Sequence, residues 1–193
     1  MLVDEIGQIP IGRVEQFPYG WRKAAKGRTV WRIVEEVINQ NLEKYYKKFG
    51  LEEVHSSDSE VSVYDVKCKF SGLPAAYINI KSAVEGGRKN KDDISKAHGL
   101  ASFYEEDEQR QFFVATFFIK FNSNMSIEID KVVVFPIAWI PDIYVNPSNN
   151  GNLQSAYYKD ISYAEKRTNV EFVKLFHETI SVAEEKRKRK RQG

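Results

Sequence analysis

The stretch Val61-Ser-Val-Tyr-Asp-Val-Lys-Cys-Lys-Phe70, then Ser71-Gly-Leu-Pro74, then Ala75-Ala-Tyr-Ile-Asn-Ile-Lys-Ser-Ala83 decides how this chain folds. Two runs of alternating character flank a Gly/Pro turn signal, the pattern of a β-hairpin. Successive side chains of a strand point to opposite faces. Tyr64, Val66, Cys68 and Phe70 therefore share one face, and Asp65, Lys67 and Lys69 the other. In the second run Ile78 and Ile80 go to the core, and Asn79 and Lys81 to the opposite side. The hairpin thus carries an acid, an amide and a lysine away from its apolar face.

Whether the three share one face depends on the turn. Directly opposed residues of an antiparallel pair lie on the same face. A two-residue loop at Gly72-Leu73 would pair Ser71 with Pro74 and set Asp65 against Ile80. A one-residue slip flips every side chain. Asp65 meets Asn79 and Lys81 only if the connection has an odd length, about three or five residues, or holds a β-bulge.

Asp65 followed by Asn79-Ile80-Lys81 resembles the PD-(D/E)XK nuclease superfamily, which includes many type II restriction endonucleases. There an Asp on one strand and an acid-x-Lys on the next assemble a Mg²⁺ site. The match covers about 20 residues closely, with Asn79 standing where Asp or Glu is usual. The resemblance implies a metal site of Asp65, Asn79 and the Ile80 carbonyl. Mg²⁺ takes oxygen ligands and keeps several waters. An amide oxygen at Asn79 would hold it more weakly than a carboxylate. Lys81 would orient the attacking water, help lower its pKa, or stabilise transition-state charge. Alternating polar residues are equally the mark of an ordinary solvated strand face. The apolar run entering Asn-Ile-Lys, and small Ser82-Ala83 after it, favour the site. A rival register, Asp65-Val66-Lys67 with Asp58 or Glu53 upstream, ranks second because that upstream stretch is polar and strand-poor.

Upstream, Val30, Val34, Val37, Ile38 and Tyr45 recur at helical spacing and predict a helix from about Thr29 to Phe49, with Gly50 as its stop. Members of the family often carry an acid on the helix before the metal strands. The helical wheel places Glu35 at the edge of the apolar face and selects it over Glu36, although a solvated helical Glu is the commoner case. Residues 10–32 form a basic arm. Arg13, Arg22, Lys23, Lys26, Arg28 and Arg32 alternate there with Phe17, Tyr19, Trp21 and Trp31. Aromatics among cations suit nucleic acid. They also suit an arm pinned to the body by its rings, and the two readings stand even.

Downstream, Arg88, Lys89 and Lys91 follow Gly86-Gly87 and are expected to meet phosphates, and Asn90 among them is expected to contact DNA. Asp92 is a candidate N-cap for a helix from about Asp92 to Tyr104. Phe112–Phe121 reads as a central strand covered on both faces, and Val132–Ile140 as another with Pro136 at an edge or bulge. Residues 141–160 read as a long polar loop. Its Asn149, Asn150, Asn152 and Gln154 are of a type that contacts adenine and also of a type that favours turns. Tyr157 and Tyr158 close that loop and suit the core equally. Thr168-Asn-Val-Glu171 is a capping box for a last helix with an apolar stripe of Val170, Val173, Phe176, Ile180 and Ala183.

The length of 193 residues fits one domain with a sizeable core, and 42% hydrophobic with 13% aromatic residues is globular composition. One cysteine, Cys68, excludes an internal disulfide and fits a cytoplasmic protein, where it reads as a small buried hydrophobe. His55, His98 and His177 lack metal-ligand spacing. No run approaches a membrane span, and the N-terminus has no signal-peptide pattern. Net charge is +2, but residues 186–191 are all Lys or Arg. Without them 23 basic residues face 27 acidic ones, a net of −4. DNA binding must therefore use local patches, and this tail reads as a frayed helix end adding sequence-blind phosphate attraction.

The expected fold is a single α/β domain over 1–185, a mixed central sheet flanked by helices, with a basic tail at 186–193. The resemblance implies a Mg²⁺-dependent type II restriction endonuclease, a homodimer on palindromic double-stranded DNA. A repair nuclease or junction resolvase of the same superfamily, or a DNA-binding module without turnover, are the alternatives.

Overall fold

The computed structural model describes residues 1–192 apart from 58, 60, 61, 87–89, 149 and 150. In chain order, a short helix α1 (Leu2–Ile6) and strand β1 (Gln8–Pro10) lead into the arm, then helix α2 (Gly27–Tyr45). Strands β2 (Leu51–Ser56), β3 (Val66–Phe70), β4 (Ala76–Val84) and β5 (Asp92–Lys96) precede helix α3 (Ala97–Glu106). Strands β6 (Gln111–Phe121), β7 (Ser126–Pro136), β8 (Tyr144–Val145) and β9 (Asn152–Ser155) follow, and helix α4 (Asn169–Gln192) ends the chain.

The main sheet is mixed, in the order β1-β7-β6-β4-β3-β2. Strands β4 and β6 run parallel from Ala76–Gln111 to Val84–Ile119, and the other neighbours are antiparallel. A parallel pair needs a crossover connection, here β5 and α3. Central strands of such a sheet are covered on both faces. On one face Val30, Val34 and Ile38 of α2 pack with Val66, Ile80, Ala115 and Phe117. On the other, Leu100 and Tyr104 of α3 and Phe172 and Phe176 of α4 pack with Phe112, Val114 and Phe135. The protein is thus a mixed α/β fold with helices flanking a central sheet. Among the described residues no helix is long and apolar enough to cross a membrane.

The hairpin has the odd parity its chemistry requires. The last ladder pair, Cys68 with Ala76, encloses the seven residues 69–75. The pairs are Val66 with Ile78, Lys67 with Tyr77 and Cys68 with Ala76, which extends to Asp65 beside Asn79. Gly72 takes the left-handed conformation there, φ 72°, which glycine adopts without steric cost.

Four expectations are corrected. Tyr64 does not share the Val66 face; it packs on Tyr77 and Phe103 in the opposite layer, because the chain leaves strand geometry before Val66. The segment before the hairpin is not strand-poor: Leu51–Ser56 pairs with β3, aligning Val54 with Cys68. Asp92 caps no helix. Residues 92–96 form β5, with Ile94 buried, and α3 begins at Ala97 without a side-chain cap. Residues 141–160 are not one loop, since β8 and β9 join β5 in a second, three-stranded sheet. Its core contacts rest on single apolar residues, Val145 and Leu153, set among turn formers.

The last helix keeps its capping box: the Thr168 N–H donates to Glu171 at 2.8 Å, and the Glu171 N–H donates to Thr168 Oγ1 at 3.2 Å. Val173, Phe176, Ile180 and Ala183 are buried as expected, whereas Val170 is exposed and Phe172 takes its place. The helix continues through the basic run to Gln192, so these cations are helical rather than frayed.

Candidate active site

Asp65 stands where the β3–β4 ladder opens. Its backbone N–H donates to the Ile78 carbonyl at 2.8 Å. Its carboxylate then accepts the Ile80 N–H at 2.5 Å, in place of a backbone acceptor. Asn79, 7% exposed, donates from Nδ2 to the Val63 carbonyl at 3.0 Å. Its Oδ1 is buried and accepts no hydrogen bond among the described residues. Asn79 therefore does not lie on a solvated face, because it packs under the α3–α4 layer, whereas Lys67 and Lys69 toward the turn stay half-exposed.

Glu35 joins them from α2, whose apolar stripe lies on β4. Its side chain is 15% exposed, and Arg32 Nη1 lies 3.9 Å from Oε2. Its pKa is pushed up from 4.5 to about 7, first by burial and then by the adjacent Asp65 carboxylate. A second ionised carboxylate beside Asp65 is disfavoured, which is why the Glu35 pKa rises, and among the described residues Glu35 Oε2 is buried with no hydrogen-bond partner. Lys81 completes the group. Burial pushes its pKa down, while Asp65, Glu35, Asp93 and Asp92, in that order, hold the ammonium charged. Glu35, Asp65 and Lys81 thus meet from α2, the start of β3, and β4.

The donors here are oxygens: two carboxylates with too little positive charge beside them, and the orphan amide oxygen of Asn79. That chemistry fits a hard divalent cation such as Mg²⁺ and not a soft one. Among the described residues no group of three or more His, Cys, Asp or Glu is placed to hold a metal, so an ion here would lean on the amide and on water. The rival register gains no comparable partners. Lys67 lies over the Tyr77 ring at 5.6 Å, and Glu53 faces Lys69 at 3.9 Å. Asp58 lies outside the described residues.

The expected DNA-binding residues are dispersed. Trp21 pins the arm to the sheet, donating to the Asn122 carbonyl at 2.7 Å and packing on Phe121 at 4.8 Å. Arg22 sits exposed over Tyr19 at 4.1 Å, and Arg28 is exposed on the first turn of α2. Asn90 is exposed, and Lys91 lies over the Tyr144 ring at 4.1 Å. Asn152 pairs with Lys96 in the small sheet. Gln154 is not free for a base edge, because its Nε2 donates to Asp93 at 2.6 Å. Arg88, Lys89, Asn149 and Asn150 lie outside the described residues, as does the Lys23 side chain.

Asp92 and Asp93 were missed as neighbours of Lys81. They sit on a strand whose partner lies some 60 residues away in sequence, and no local pattern marks such a pairing. Thr116 was missed as well. It is fully buried beside Lys81 in the register, and its hydroxyl has no partner. Compared with known proteins, the chain matches no family model and no curated protein sequence.

Proposed function

We propose that the protein is a Mg²⁺-dependent DNA endonuclease of the PD-(D/E)XK kind, a type II restriction enzyme working as a homodimer on a two-fold site. The observation that carries this reading is the meeting of Glu35, Asp65 and Lys81 from three elements. An acid on the preceding helix, an Asp on one strand and a Lys on the next are the three positions the resemblance names.

Hydrolysis of a phosphodiester forms a bond from water oxygen to phosphorus and breaks one from phosphorus to a sugar oxygen. The water must lose a proton and the departing oxygen must gain one. Mg²⁺, held by Asp65, Glu35, Asn79 Oδ1 and the Ile80 carbonyl, would supply Lewis acidity and an acidified water. Asp65 is fixed for this role by the Ile80 N–H, so its carboxylate cannot swing away. Lys81 places a positive charge in a half-buried position, where it stabilises charge developing on the phosphate. Glu35, whose pKa is raised by burial and by Asp65 when no metal is bound, would ionise on holding the cation and complete its oxygen ligands beside Asp65.

The test is digestion of a genome-scale DNA with and without Mg²⁺, followed by sequencing of the ends. A common sequence at the ends is expected. Asp65→Asn, which keeps an acceptor for the Ile80 N–H, should be folded and inactive. Wild-type rates in Asp65→Asn and Lys81→Met would overturn the assignment. Absence of any Mg²⁺-dependent nicking would instead favour a DNA-binding module without turnover, the reading that Asn79 supports.

A further inference from the structure

Two residues beyond Lys81 the same sheet face opens into a cleft of about 480 Å³. Alternation carries that face from Lys81 to Ala83, and the register adds Phe118 of β6 and Lys131 of β7. The segment after β9 forms the far wall, with Tyr157, Lys159 and Ile161. The volume lies within the roughly 300–1,000 Å³ typical of small-ligand sites.

The chemistry of the walls is mixed in a particular way. Tyr157 is 37% exposed and its ring lies 4.8 Å from that of Tyr163. Its neighbour Tyr158 is buried, with its hydroxyl 3.3 Å from Asp92. Only one of the two adjacent tyrosines is therefore used by the core. Ile161 adds exposed apolar surface. Lys131 is exposed, lies 4.6 Å from the Phe118 ring centroid, and forms no salt bridge among the described residues. Lys159 is held at the rim by an ion pair with Asp92, one of the acids that acts on Lys81. The acid in the wall, Asp160, is turned into its own chain, accepting the Ser162 N–H and hydroxyl.

A flat apolar surface flanked by cations is what a nucleotide with its base out of the stack requires. Base–aromatic stacking supplies sequence-tolerant affinity, and the cations meet the backbone. A paired base inside a duplex has no exposed face for such a wall. We propose that this cleft binds one unstacked nucleotide of the strand presented to Lys81, its base against Tyr157 and its backbone beside Lys131. The orientation toward Lys81 rests on the nuclease reading; the occupancy of the cleft by single-stranded DNA does not.

The experiment separates the two. Binding of a fluorescein-labelled dT octamer is followed by anisotropy in EDTA, where no metal-dependent cleavage occurs, and nicking of plasmid DNA is measured separately with Mg²⁺. Tyr157→Ala and Lys131→Ala are each expected to weaken octamer binding about tenfold, and Tyr157→Phe to retain it, since the ring is kept. Both side chains are exposed, and unchanged melting midpoints establish that the variants are folded. Octamer affinities of both alanine variants within twofold of wild type, equal losses in Tyr157→Phe and Tyr157→Ala, or no octamer binding by the wild type would each overturn the cleft. A tenfold loss in a protein that never nicks DNA would sustain the cleft and remove the nuclease reading. Nicking by a wild type whose cleft variants bind normally would do the reverse.

Discussion

At the scale of single residues, the site is a problem in uncompensated charge. The folded Glu35 keeps its proton up to about pH 7, whereas the unfolded residue releases it near 4.5. Between these values the native state binds more protons, so stability falls as pH rises through that window. After allowance for screening at a partly exposed carboxyl, the loss is about 2 kcal/mol, or roughly 4–8 °C in melting temperature for a chain of this size. Thermal melts from pH 4.5 to 8 should show this slope in the wild type, and Glu35→Gln should lack it. Saturating Mg²⁺ should flatten the wild-type slope as well, since a cation favours the ionised pair. Asn79 gives a second prediction. Asn79→Asp removes the Nδ2 donor to Val63 and adds a buried carboxylate beside Asp65, a cost of about 2–4 kcal/mol without metal. Urea unfolding should recover much of that loss when Mg²⁺ is added, and the half-saturating Mg²⁺ for cleavage should fall. Equal destabilisation with and without Mg²⁺ would place the amide away from the ion. Asp65, Asn79 and Lys81 were legible because strand alternation is a two-residue rule that a sequence displays directly. The helical wheel selected Glu35 for the same reason. Neither rule reveals how deeply a group lies, so the α3–α4 layer over Asn79 and the burial of Glu35 beside Asp65 that raises its pKa came only from the fold.

At the scale of elements, the strong periodic signals were the readable ones. The helix over α2, the doubly covered central strand β6 and the capping box of α4 each announce themselves within a dozen residues. The second sheet did not. Strand β8 has two residues and β9 four, too short for any alternation to stand out from Asn and Pro around them. The same brevity hid β5, whose Ile94 is a single core residue behind two aspartates that look like a helix cap. The parity of the hairpin turn was legible only as a condition: chemistry required an odd connection, and the seven residues between the paired Cys68 and Ala76 supply it. Strand β6 offers a test of what a central strand tolerates. Thr116 is fully buried with no partner for its hydroxyl. An orphan buried hydroxyl costs about 1–3 kcal/mol, and valine is its near-isostere with good strand propensity. Thr116→Val should raise the urea unfolding free energy by about 1 kcal/mol, with unchanged slope. A destabilised Thr116→Val would mean that the hydroxyl binds a buried water shared with its neighbours.

At the scale of the whole molecule, charge is segregated. The chain without residues 186–191 carries a net of −4, with 23 basic against 27 acidic residues. These six cations continue α4 as helix. Arg187 is not available for phosphate, because its Nη2 donates to the Ser148 carbonyl at 2.6 Å and ties the helix end to the loop between β8 and β9. Arg189 lies 3.9 Å from Glu185 and is partly neutralised. Lys186, Lys188 and Lys190 are exposed, and successive helical residues point about 100° apart, so a single duplex can meet roughly two of Lys186, Lys188, Arg189 and Lys190 at once. Each phosphate contact steepens the plot of log affinity against log salt by about 0.9. Replacing Lys186, Lys188, Arg189 and Lys190 together by alanine should therefore reduce the slope for a random duplex by about 2, with alanine keeping the helix intact. The metal-dependent cut site should not change, because a helix that meets only the backbone carries no base information. Anisotropy titrations in EDTA from 50 to 200 mM KCl measure the slope, and end-sequencing of a digest measures the site. An unchanged slope would move the phosphate contacts to the arm, where Arg22 and Arg28 stand exposed. An altered cut site would mean that these four cations touch the bases as well as the backbone.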